Sequence, residues 1–203
     1  MLDPMQLERL ASIVNSSRRE QFLSARALAQ QLLRAEQVDA VLSQHENGRP
    51  FAPAWPHAEG LSWSHGAKWC AAALGRGRVG IDVETMRQRK QLGSIAEQYF
   101  DPREHAWLVA QPESVQLLAF YTLWVAKEAL LKALGTGLVG GLARFVLLQD
   151  ESGWRCEHPD LAPWSVQVWQ PQADVLLALA SDTPQTWRSL VDTQNWQNIL
   201  QIV

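Results

Sequence analysis

The stretch FYTLWVAKEALLKAL, from Phe120 to Leu134, most constrains what this chain can fold into. Its only clearly polar side chains are Thr122, Lys127, Glu128 and Lys132, besides the Tyr121 hydroxyl. A surface helix keeps one broad polar face, so a helix this apolar needs other elements packed around it. It is predicted to run from about Ser114 to Leu134, stopped by Gly135. Glu128 and Lys132 stand four apart and share a face. Lys127 falls within the arc of Phe120, Leu123, Leu130 and Leu134. A charge there needs an ionic partner, a route to water or a ligand.

The rest of the chain supplies what would surround that helix. A short helix is expected over Pro4–Val14. Ser17-Arg-Arg-Glu20 reads as a capping box opening a second helix over Arg18–Glu36, with Phe22, Ala25, Ala29 and Leu33 on its apolar side. Prolines and glycines exclude a helix from NGRPFAPAWPHAEG. Ala67–Leu74 and Val79–Glu84 read as strands, with Gly75-Arg-Gly-Arg78 as a hairpin turn. A helix over Ser94–Ala110 is interrupted near Asp101-Pro102. Phe145–Gln149, Val166–Trp169 and Val175–Ala180 read as strands, and Trp187–Leu190 as part of a short final helix. Helices, hairpin, helices, strands is an α+β order.

With 203 residues, 47% of them hydrophobic and 19% charged, the chain can bury a core. A net charge of -3 gives no global reason to expect nucleic acid or a membrane surface as partner. Cys70 and Cys156 lack the paired spacing of a zinc site or a disulfide framework, which favours a reducing cytoplasm. The opening MLDPMQLERL lacks the basic and apolar stretches of a signal peptide, so none is expected, and no apolar run reaches membrane-spanning length. Lysine is scarce: four against fourteen arginines, and two of the four are Lys127 and Lys132.

Chemistry-bearing residues gather around two segments. In the strand VGIDVE, Asp82 and Glu84 point one way and Val79, Ile81 and Val83 the other. Two such acids, roughly 7 Å apart, repel by roughly 2 kcal/mol at an effective dielectric of about 20. A bound magnesium ion would turn that cost into a site. Alone, the pair also fits an ordinary solvated strand face. Ser64-His65 precedes the first hairpin strand, Arg49 stands in the turn NGRPF, and Arg26 lies on the apolar side of the second helix, where arginine prefers a partner.

Together these elements resemble the 4′-phosphopantetheinyl transferases, in particular the single-chain type that activates peptide and polyketide synthases. The family's G-I-D-x-E strand is matched by Gly80-Ile81-Asp82-Val83-Glu84, and its W-x-x-K-E-x-x-x-K helix by Trp124-Val-Ala-Lys127-Glu128-Ala-Leu-Leu-Lys132. Gly48-Arg49-Pro50 resembles its G-K/R-P element. Leu61-Ser62-Trp63-Ser64-His65-Gly66 resembles F-N-x-S-H-S, with Leu61, Ser62 and Gly66 as departures. Phe22-Leu-Ser-Ala-Arg26, Tyr99-Phe100 with Glu104, and Gly135-Thr-Gly137-Leu138 match in order.

The resemblance implies two similar α/β halves related by a pseudo-two-fold, residues 1–78 and 79–203, with the active site between them. It implies a holo-acyl-carrier-protein synthase type of enzyme: phosphopantetheine passes from coenzyme A to a serine of an apo acyl or peptidyl carrier protein, releasing 3′,5′-ADP. Asp82, Glu84 and Glu128 would hold magnesium, or manganese in its place. Arg26, Arg49, Ser64, His65, Asp82, Lys127 and Lys132 would contact coenzyme A, and Glu128, Lys132 and Asp82 would be catalytic. A cytoplasmic monomer is implied, with neither nucleic acid nor membrane as partner. Carriers of this kind present an acidic helix, and Arg87, Arg89 and Lys90 form a basic patch directly after the acidic strand that is expected to dock it.

Overall fold

The computed structural model describes residues 2–66, 68–88, 91–137, 141–159 and 162–202. Two helices open the chain, α1 (Pro4–Ser12) and α2 (Ser16–Ala35). The expected capping box does not form at α2. Asn15 caps it instead, its side chain accepting from the Arg18 N–H at 2.9 Å, because the helix starts earlier than Ser17. Phe22, Ala25, Ala29 and Leu33 are buried as their spacing predicts. The turn-rich stretch holds one short strand, β2 (Pro50–Phe51), paired antiparallel with β1 (Ser43–Gln44) just before it.

The middle of the chain departs from expectation. Leu61–Gly66 is a strand, β3, and it pairs antiparallel with β4 (Trp69–Leu74). β5 (Val79–Thr85) pairs with β9 (Val175–Ser181). Gly75–Arg78 is therefore not a hairpin turn between partners but a crossing from one sheet to another. Remote residues fix that crossing: Asp182 accepts from the Arg78 N–H at 2.8 Å and Gln185 from the Arg76 N–H at 2.9 Å.

Three helices follow: α3 (Leu92–Tyr99), α4 (Pro102–Val109) and α5 (Glu113–Leu134). The break at Asp101-Pro102 is a capping box, with Asp101 at the N-cap and Glu104 reaching back to the Asp101 N–H. α5 ends at Gly135 in the left-handed conformation, φ 72°, as its sequence predicts. β6 (Val146–Asp150) and β7 (Gly153–Glu157) form a hairpin. β8 (Ser165–Gln172) and β10 (Gln197–Ile202) complete an antiparallel sheet of order β10-β8-β9-β5. Residues 187–190, expected in a helix, are irregular, and the final element is the strand β10. The α+β class stands.

α5 lies across β5 and β9, and its apolar residues form the main core with Leu176, Ala178 and Ala180 of β9 and Val166 and Val168 of β8. The sheet's other face carries Val79, Ile81, Val83 and Leu179, which meet Ala71 and Ala73 of β4. Beyond the β3–β4 hairpin, Leu61, Trp63, Ala72 and Leu74 pack with Ala29 and Leu33 of α2. β3 joins β5 through side chains: the Ile81 N–H donates to Ser62 Oγ at 3.1 Å and the Val83 N–H to Ser64 Oγ at 3.4 Å. The Val79 N–H on the same edge donates to Glu59 O at 3.0 Å.

Gly80 sets how closely α5 approaches. A Cβ there would overlap Ala129 O and lie 2.5 Å from Ala133 N, both backbone atoms of α5. No rotamer change relieves that contact. Gly80→Ala is expected to cost about 3 kcal/mol or more, at the upper end of overpacking, as measured by urea unfolding. A cost within experimental error of zero would show that α5 can retreat from β5 freely.

Candidate active site

The close crossing of α5 over β5 brings three elements to one point. Asp82 and Glu84 stand on the face of β5 turned toward α5, while the odd-numbered valines and Ile81 fill the opposite core. One turn of α5 separates Glu128 from Lys132, and β3 brings Ser64 and His65 alongside. Lys132 Nζ donates to Asp82 Oδ1 at 2.6 Å and to Ser64 Oγ at 2.8 Å. Ser64 donates its own proton to Asp82 Oδ1 at 2.8 Å. With the Val83 N–H also accepted, the hydroxyl is fully used. Asp82 Oδ2 is buried and has no hydrogen-bond partner among the described residues.

Glu128 carries the electrostatic signature of this cluster. Burial first, then the charge of Asp82, and more weakly Glu84, push its carboxyl up to about 7 against the opposing pull of Lys132. Glu128 thus lies within the electrostatic field of Asp82 and, more weakly, of Glu84. No group of three metal-ligating side chains stands at ligating spacing among the described residues. Glu84 also lines a cavity of about 60 Å³ with Leu92, Ile95, Phe120, Tyr121 and Trp124.

A cationic corner adjoins the acids. The exposed His65 imidazole is held below its ordinary value by partial burial of its ring and then by Lys132, Arg26 and Arg18. Arg26 is buried, its guanidinium 3.2 Å from the Phe22 ring centroid and 4.6 Å from that of Trp63. It donates to Gln6 Oε1 at 2.7 Å, Phe22 O at 3.1 Å and Gln44 Oε1 at 3.4 Å. It has no carboxylate partner among the described residues, and burial, then Arg9, lower it to about 10.

Two expected coenzyme A residues have their charged ends bonded to protein groups. Lys127 is fully buried and pairs with Glu104 at 2.7 Å. Its ammonium also donates to Leu142 O at 2.8 Å and to Phe145 O, so every proton is used. Glu104 in turn accepts from the Leu147 N–H at 2.8 Å and the Asp101 N–H at 2.9 Å. Burial pushes Lys127 down and Glu104 up, and their mutual attraction opposes both shifts. Lys127 is thus a structural cross-link between α5, α4 and the start of β6, which corrects its expected role. The Arg49 guanidinium is also engaged elsewhere, donating to Ala133 O at 2.8 Å and Glu59 O at 2.7 Å. Arg87 is exposed; Arg89 and Lys90 lie outside the described residues.

Sequence reasoning missed Glu104 as the partner of Lys127. The signal was present in Asp-Pro-Arg-Glu, a helix N-terminus that fixes where Glu104 sits. It also missed Gln6 beside Arg26 and the role of Ser62, whose hydroxyl takes a backbone N–H of the acidic strand.

In the cation-free protein, Glu128 is expected to titrate near about 7, as read from carboxyl carbon shifts, and Asp82→Asn is expected to lower it. A carboxyl raised in the fold contributes stability that is complete below its ordinary value of 4.5 and is lost as pH rises through about 7. This group is therefore expected to lower the melting temperature across that window. A Glu128 titration unmoved by Asp82→Asn would show that the two carboxylates do not share a site.

Residues 78–180 match the family described as the 4′-phosphopantetheinyl transferase superfamily. A 4′-phosphopantetheinyl transferase of Bacillus subtilis is 32% identical over 141 residues, covering 68% of this chain and 62% of the relative. The 4′-phosphopantetheinyl transferase Sfp of the same species is 28% identical over 151 residues, 73% of this chain and 66% of Sfp. The 4′-phosphopantetheinyl transferase AcpT of Salmonella typhimurium is 31% identical over 184 residues, 87% of this chain and 84% of AcpT. The chain spans less than two thirds of the length of either Bacillus relative.

Proposed function

The chain belongs to the 4′-phosphopantetheinyl transferase superfamily, and from that premise we propose that it moves the phosphopantetheine arm of coenzyme A onto a serine hydroxyl of an apo acyl or peptidyl carrier protein. The observation that carries this reading is the Lys132–Asp82–Ser64 contact beside a Glu128 carboxyl poised at about 7. Neutral-range acidity is what a general base for a serine hydroxyl needs.

The carrier serine oxygen forms a bond to the β-phosphorus of coenzyme A. The bond from that phosphorus to the bridging oxygen breaks, and 3′,5′-ADP leaves with the electron pair. Glu128 takes the serine proton. Lys132 stabilises the leaving phosphate and can hand it a proton. By family resemblance Arg26, His65 and Ser64 gather the polyanionic end of coenzyme A, guanidinium and imidazole being suited to phosphate oxygens. Binding of a phosphate there is expected to raise His65 again. Arg49 and Lys127 are left out of this set.

The donor chemistry fits a hard divalent cation: Glu128 feels the charge of Asp82 and Glu84, and Asp82 carries an orphaned buried oxygen. Asp82, Glu84 and Glu128 would hold magnesium, which when bound neutralises charge on the pyrophosphate. We read the enzyme as a cytoplasmic monomer of two halves, 1–78 and 79–203. Its two cysteines are free, and no described helix is long and apolar enough to cross a membrane. The exposed Arg87, with Arg89 and Lys90, is read as the contact for an acidic carrier helix.

Incubation with coenzyme A, magnesium and a panel of apo carriers is expected to add one phosphopantetheine mass to a carrier. Glu128→Gln is expected to slow that gain by about 10²–10⁴-fold while coenzyme A still binds. Arg87→Glu is expected to raise the KM for carrier several-fold and leave coenzyme A affinity unchanged. Coenzyme A binding with no mass gain on any carrier would make the protein a binding module instead. Absence of both would leave only a scaffold.

A further inference from the structure

The last four carbonyls of a helix have no partner within it. At the end of α5 the Gly135 N–H serves Leu131 O and Lys132 O, and the carbonyls of Ala133 and Gly135 are served from a distant part of the chain. Arg49 Nη1 donates to Ala133 O at 2.8 Å, and Asn47 Nδ2 donates to Gly135 O at 3.0 Å. Both residues belong to one tight turn between β1 and β2. The His45 N–H donates to Arg49 O at 2.9 Å and the Gly48 N–H to His45 O at 2.8 Å, while Gly48 takes φ 82°. The Arg49 N–H donates to Asn47 Oδ1 at 3.1 Å, and Gln44 Nε2 donates to Gly48 O at 2.9 Å.

The arginine is committed to this place. Its side chain is only 6% exposed, and Nη2 is spent on Glu59 O at 2.7 Å. The Glu59 carboxylate, 53% exposed, lies 3.3 Å from Nη1 and supplies the counter-charge. Gly135 makes the fit: besides its left-handed φ of 72°, a Cβ there would stand 2.8 Å from Arg49 Nη1. A cation at a helix C-terminus also meets the negative end of the helix dipole. The residue before Ala133 is Lys132, whose Nζ holds Asp82.

We infer that the Asn47–Gly48–Arg49 turn is a clamp that caps α5 and holds Lys132 in register with Asp82, and that Arg49 is a positioning residue rather than a contact to coenzyme A. The effect on turnover rests on the transfer reaction proposed above. The clamp itself rests on the hydrogen bonds alone.

The test compares Arg49→Ala, Arg49→Lys and the milder Asn47→Ala with the unaltered protein. Three quantities are read: hydrogen exchange of a peptide spanning 128–137, coenzyme A affinity by calorimetry, and kcat with KM from the mass assay, normalised to folded protein. Arg49→Ala is expected to speed exchange in that peptide and lower kcat about tenfold or more, with coenzyme A affinity and KM within about twofold. Arg49→Lys is expected to recover part of kcat, since an ammonium can still reach one carbonyl. Asn47→Ala is expected to give the same pattern more weakly, and it decides the matter if Arg49→Ala does not fold. Coenzyme A affinity reduced about tenfold with exchange unchanged would overturn the clamp and make Arg49 a ligand contact. Faster exchange with unchanged kcat would overturn the positioning role. Failure of the unaltered protein to modify any carrier would sink the transfer reaction, and the exchange data would still decide the clamp.

Discussion

The approach of one helix backbone to one strand governs this molecule. With hydrogen as the side chain of residue 80, α5 settles onto β5 until main-chain atoms touch the space a methyl group would need. At that separation Lys132 reaches Asp82 directly, and Glu128 comes within the field of both strand acids. A wider crossing would leave the same residues on the same faces and lose their interaction. Glycine here acts through packing distance, not backbone freedom.

The charges then sort by depth. Lys127 sits under α5, saturated by one carboxylate and two carbonyls in a dry interior, where an unpaired ammonium would cost several kcal/mol. Lys132, five residues later, is 30% exposed and shares its protons with a carboxylate and a hydroxyl. Neighbouring lysines in one helix thus have opposite duties. Arg26 occupies a third situation, buried among aromatic rings and side-chain amides with only neutral acceptors. A polyanion at that corner would meet a guanidinium already desolvated and held in place.

Much of this was legible in the sequence, for identifiable reasons. Period-two alternation in VGIDVE separates acids from core residues, and the structure keeps that separation. The apolar helix from Phe120 to Leu134 demanded burial, and Gly135 marked its end. Lys127 announced a missing partner without naming it. β3 was hidden because the alternation Leu61-Ser62-Trp63-Ser64 lasts only four residues before His65 and Gly66 end it; both serines turn toward the backbone of β5. The Gly75–Arg78 connector looked like a hairpin because short glycine-rich links between adjacent strands usually are. Asp182 and Gln185, more than a hundred positions away, help redirect it. Long-range acceptors of that kind leave no local trace.

β5 ends its sheet, and a terminal strand normally offers a row of bare amides to any extended chain that drifts past. Here that row is taken up by a loop carbonyl and two serine hydroxyls, on the N–H groups of Val79, Ile81 and Val83. The strand bearing the acids is thereby closed to strand addition, and an aggregation-prone border becomes an internal seam without a continuous backbone ladder.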